Sequence, residues 1–107
     1  MHRTEILSRA DDIINGARNE QYGEPEDNFR LIAELWNVYL QARKKFLADK
    51  GESVRLDRLD TANMMMLVKI ARAATGAGSL DTYIDIAGYA ACAGSMIPEL
   101  PEEEDED

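Results

Sequence analysis

Residues 61–97, TANMMMLVKIARAATGAGSLDTYIDIAGYAACAGSMI, decide the fold. From Thr61 to Thr75 the only charged residues are Lys69 and Arg72, and from Tyr83 to Ile97 the only one is Asp85. Segments that are apolar on nearly every face read as helices covered on nearly every face. Between them Thr75-Gly76 ends one helix, Ala77 and Gly78 turn the chain, and Ser79 caps the next. The pair is therefore an αα-hairpin with a very short loop.

Upstream, Asp57 is placed to cap the helix that runs to about Thr75, after a polar connection, KGESVRLD, that contains Gly51. Before it an amphipathic helix is predicted over Pro25 to Asp49. Phe29, Ile32, Ala33, Trp36, Tyr39, Leu40 and Leu47 fall on one broad face, and Asp27, Arg30, Glu34, Asn37 and Gln41 on the other. RNEQYGEPEDN breaks the period: Gly23 relaxes the backbone and Pro25 suits a first helical turn. A first helix is expected from Thr4, its cap, to Ala17, with Ile6, Ala10, Ile13, Ile14 and Ala17 at helical spacing. No stretch alternates as a strand would. The class is all-α, a compact four-helix bundle-like single domain over residues 1–97.

With 107 residues the chain has room for one domain. Its net charge of −9 reflects 12 basic against 21 acidic residues, but Glu99 and Glu102 to Asp107 supply seven of the acids, so the body stands at 12 against 14. Residues 98–107 are expected to be an acidic disordered tail, because like charges and prolines cannot offset the entropy of ordering. No basic stripe with interleaved aromatics appears, so duplex nucleic acid is not an expected partner. One cysteine and a single histidine, His2, exclude a disulfide framework and a usual zinc site, and the terminal place of His2 weighs against Ser-His-Asp and Cys-His catalysis. No long apolar window and a charged N-terminus predict neither a membrane span nor secretion, hence a cytoplasmic protein. Two helices with so much apolar perimeter call for a second subunit, a homodimer or larger homo-oligomer.

The charges inside the hairpin need a reason, since an unpaired buried charge costs several kcal/mol, on the order of the whole stability margin. Counting outward from the turn, Lys69 stands level with Asp85, and Arg72 between Asp81 and Asp85. Arg72 is three residues after Lys69 and Asp85 four after Asp81, so the two cations share a face of one helix and the two carboxylates a face of the other. The cluster is either an ion-pair lock on the hairpin register or a polar pocket in which carboxylates bind Mg2+ and cations bind phosphate. Glu34 with Asn37 offers two oxygens at i, i+3, although Arg30 beside Glu34 favours a solvated ion pair. Asp60 reads as a capping residue, Met64 to Met66 and Trp36 as core, and Cys92 as a small packing residue. Tyr22, in its loop, is available to stack on a base.

The ordered series EQYGEPEDNF (20–29), IAELW (32–36), LDRLDTANMMMLVKIAR (56–72) and DTYIDIAGYAA (81–91) resembles a family of small, mostly phage-encoded uncharacterised proteins. More remotely the layout is similar to the MazG-type and dimeric dUTPase-type all-α nucleoside triphosphate pyrophosphohydrolases. That resemblance implies a Mg2+-dependent enzyme cleaving a nucleotide between its α and β phosphates. Asp85 falls on the aspartate of the E-E-L-x-D motif and Asp81 on its first glutamate, while Thr82 replaces the second glutamate and Asn37 the last of E-x-x-E after Glu34. It further implies metal binding by Asp85, Asp81 and Glu34, with Lys69 and Arg72 on the phosphates. Tyr22, Asn28 or Asn63 would then read the base or sugar. A non-hydrolysing nucleotide-binding module and an oligomeric helical interaction protein stay open as alternatives.

Overall fold

The computed structural model describes residues 1–15 and 24–98. Four helices and no strand occur among them: α1 (Arg3–Ile14), α2 (Pro25–Asp49), α3 (Arg58–Thr75) and α4 (Leu80–Ser95). The all-α expectation and the three downstream helices are thereby met. None of the described helices is long and apolar enough to cross a membrane.

The caps follow local chemistry. Asp57 accepts from the amides of Leu59 (2.9 Å) and Asp60 (3.0 Å), and Asp60 returns the bond by accepting from the Asp57 amide at 2.9 Å. This reciprocal box satisfies donors that the first turn of α3 cannot pair internally. Ser79 Oγ accepts from the Thr82 amide at 3.3 Å and opens α4. Pro25 occupies the start of α2, and Glu26 and Asp27 lie in its first turn, where the helix dipole favours carboxylates. At α1 the cap is His2, not Thr4: the imidazole Nδ1 accepts from the Thr4 amide at 3.2 Å, and Glu5 accepts from the His2 amide at 3.3 Å. An unprotonated ring nitrogen performs the task assigned to a hydroxyl. The expected end of that helix at Ala17 lies outside the described residues.

Helix α3 is the middle element, packing against α2 on one side and α4 on the other. The α2/α3 pair runs antiparallel, with Trp36 Nε1 donating to the Met64 carbonyl at 2.9 Å and Tyr39 reaching Asp60. Leu47, Ala62, Val68 and Ala71 form the fully buried apolar core. Three expectations change here. Helix α1 packs on none of the other helices, so the described assembly is a three-helix layer with α1 apart. Phe29 is exposed on the face of α2 read as apolar, and Cys92 is exposed, not packed. Above all α4, nearly uncharged, buries only Thr82 and leaves Leu80 75% exposed. Among the described residues only α3 packs on it.

Gly51 turns the chain after α2 with φ +74°, a left-handed conformation that side chains resist, and a Cβ there would meet nothing within 4 Å. Gly51→Ala is thus expected to cost about 1 kcal/mol from backbone strain alone. A chemical-denaturation midpoint equal to that of the wild type would refute this.

Candidate functional site

The hairpin register is as expected. Lys69 Nζ lies 2.9 Å from Asp85 Oδ2, with the lysine side chain 15% and the aspartate 48% exposed. The pair sits where a largely buried cation meets a carboxylate that still faces solvent. Asp85 also lines a shallow groove along α4 with Ile84, Gly88, Tyr89 and Cys92.

Three polar residues are buried among the described residues: Asn28, Thr82 and Asp60. Two of them belong to the same end of the molecule. Extending the antiparallel register of Trp36 with Met64 brings Asn28 level with Arg72, and extending that of Lys69 with Asp85 brings Thr82 level with Arg72 as well. Thr82 is within 3.3 Å of Ser79 Oγ through its hydroxyl. Asn28 Oδ1 is buried and has no hydrogen-bond partner among the described residues. An unsatisfied buried acceptor costs about 1–3 kcal/mol, so this one stands out at the level of the hairpin charges.

The remaining expected site residues are dispersed. Asp81 is exposed in the first turn of α4. Glu34 is exposed on α2, which does not pack on α4, so Glu34 and Asp85 are not brought together. The expected Arg30–Glu34 ion pair is replaced by Arg30 with Asp27, 3.9 Å apart one turn earlier. Asn63 spends an amide hydrogen on the Tyr39 hydroxyl at 3.0 Å. Tyr22 lies outside the described residues. No group of three or more His, Cys, Asp or Glu side chains among the described residues is placed to share a metal ion. Asp81 and Asp85 stand one turn apart on α4.

The sequence did not disclose the polar cluster at the other end. Asp60, 1% exposed, is more than a cap: its Oδ1 accepts from the Tyr39 hydroxyl and from Arg43 Nε at 2.7 Å. Burial opposes ionisation of Asp60. The hydrogen bond from Tyr39, the backbone bond from Asp57 and the Arg43 guanidinium outweigh it and hold the carboxyl below its ordinary value. The Tyr39 phenol is pushed up, first by burial and then by its bond to the Asp60 carboxylate, against opposing contributions from Asn63 and Arg43. The available signal was spacing: Tyr39 and Arg43 stand at i, i+4 on the α2 face that meets α3.

An all-helical domain with paired charges inside an apolar hairpin is the class that this geometry defines. The chain belongs to the family described as "Domain of unknown function (DUF6378)", which matches residues 5–97. It is 38% identical over 99 residues to the "Gene 55 protein" of Mycobacterium phage D29, covering 92% of this chain and 58% of that protein. To the "Gene 55 protein" of Mycobacterium phage L5 it is 39% identical over 99 residues, covering 92% and 55%. Both relatives are phage proteins, in keeping with the motif resemblance, and the chain spans somewhat over half of their length. No solved structure matches.

Proposed function

We propose that the protein is a Mg2+-dependent nucleotide pyrophosphohydrolase, acting on a (deoxy)nucleoside triphosphate or related nucleotide. The observation that carries this reading is the Lys69–Asp85 pair, 2.9 Å apart in a nearly uncharged hairpin and one helical turn from the Arg72 level at which buried Asn28 and Thr82 stand. Lys69 and Arg72 would hold the phosphates and stabilise charge developing on them as water attacks the α phosphorus. The α–β bridging P–O bond breaks, giving a nucleoside monophosphate and pyrophosphate. Mg2+ held by Asp85 and Asp81 together with the phosphates would neutralise the substrate's charge. Asn28, with an open acceptor, is the better placed of the two asparagines to read the base or sugar, because Asn63 is already engaged.

A second reading, a nucleotide-binding module without hydrolysis, is favoured by the dispersal of the carboxylates and the engagement of Asp85 by Lys69. Incubation of the pure protein with a nucleotide panel and Mg2+, with products resolved by chromatography, separates them. Pyrophosphate release supports the enzyme. Binding without turnover supports the module, and neither result would overturn both in favour of a helical interaction protein.

The exposed face of α4 supports a homodimer or larger homo-oligomer as the working form. Leu80, Tyr83 and Ile84 on α4, and Ile97 just beyond its end, are all exposed, and exposed apolar surface of this extent is a usual mark of an interface. Sedimentation at micromolar concentration is expected to give at least a dimer, and Ile84→Glu to shift it to monomer. A monomeric wild type would refute the assembly without touching the nucleotide assignment.

A further inference from the structure

At the end of the molecule away from the hairpin turn, the last turns of α2 and the connection to α3 enclose a cleft of about 480 Å³. That is the size of an ordinary small-molecule site. Its charged lining is entirely cationic: Arg43, Lys44 and Arg55, with no carboxylate on the wall. Lys44 and Arg55 make no ion pair among the described residues, and leaving like charges together without a counter-charge is unfavourable. Arg43 is fixed. Its Nε is 2.7 Å from Asp60, a carboxylate 1% exposed that also accepts from Tyr39, while the arginine keeps 29% of its side chain open. A guanidinium anchored through Nε keeps its terminal NH2 groups for a second acceptor, and the bidentate geometry of arginine suits phosphate. The rest of the wall has two kinds of chemistry. Leu40, Leu47, Val54 and Leu56 give an apolar surface, and Asn37 and Gln41, one helical turn apart, give carboxamide donors and acceptors.

We propose that this cleft binds a phosphate monoester with an aromatic or similarly apolar body. The phosphate would sit on Arg43, Lys44 and Arg55 and the body against the leucines and Val54. The site uses none of the residues assigned to hydrolysis, so it stands or falls separately from that assignment.

Calorimetric titration of the full chain with naphthyl phosphate tests it, with naphthol, inorganic phosphate and glucose phosphate as comparisons. Naphthyl phosphate is expected to bind at least tenfold more tightly than each of the other three, since only it supplies both halves. Lys44→Gln and Arg55→Gln, both at exposed positions that carry no ion pair, are each expected to weaken it about tenfold, and raised salt to weaken it further. Lys69→Met is expected to leave this affinity unchanged. Failure of naphthyl phosphate to bind at millimolar concentration would overturn the proposal. So would binding that survives both glutamine substitutions, or that is lost in Lys69→Met instead.

Discussion

Asp60→Ala is expected to lower the unfolding free energy by about 3 kcal/mol or more. The substitution removes the acceptor of Tyr39 and Arg43, opens one half of the capping box on α3 and leaves a polar hole at a fully buried position. Breaking a buried ion pair by deleting one partner typically costs about 3–5 kcal/mol. The lower part of that range applies because Arg43, 29% exposed, can turn toward water when its partner is gone. The same residue sets a pH dependence. A carboxyl held below its ordinary value of 3.8 in the folded state contributes stability that is fully present above that value and lost as pH falls through the depressed one. Urea midpoints of the wild type should therefore fall steeply below about pH 4, and Asp60→Asn should start lower and fall less steeply. Parallel acid profiles in the two proteins would show that Asp60 is not the group responsible.

How far the sequence discloses this molecule depends on which physical term governs each feature. Helix identity and the α3/α4 register follow from local matters, namely apolar periodicity, the caps Asp57 and Ser79, and a loop too short to permit another pairing. The level of Lys69 with Asp85 could be counted for the same reason. What periodicity cannot supply is which apolar face receives a partner. Phe29 and the outer side of α4 have the pattern of core residues, yet nothing among the described residues covers them. The cluster of Tyr39, Arg43 and Asp60 was missed because Asp60 already had a sufficient local role as a cap, and its long-range bonds depend on how α2 crosses α3. The carboxylate set taken from the remote resemblance fared differently. Asp81 and Asp85 share α4, but Glu34 belongs to a helix that does not touch it.

Lys69→Met is expected to reduce Mg2+-dependent pyrophosphate release by roughly 100-fold or more while changing stability by less than about 1 kcal/mol. Methionine reproduces most of the lysine stem, so the packing against α4 survives. Asp85, left behind, is 48% exposed and rehydrates in place. Asp85→Asn tests the same pair from the other side: it retains shape and hydrogen-bonding capacity but removes the negative charge that would hold Mg2+. It too should abolish release, at a stability cost of about 1 kcal/mol, because the asparagine carboxamide oxygen can still accept from the largely buried ammonium. If the pair were only a lock on the hairpin, the outcome would invert. Each single substitution would then destabilise the protein strongly, the combination of Asp85→Leu with Lys69→Met would recover most of the loss, and nucleotide turnover would follow stability alone. The 48% exposure of Asp85 is the reason for expecting the first outcome, since a carboxylate open to solvent on one side contributes little to holding two helices together.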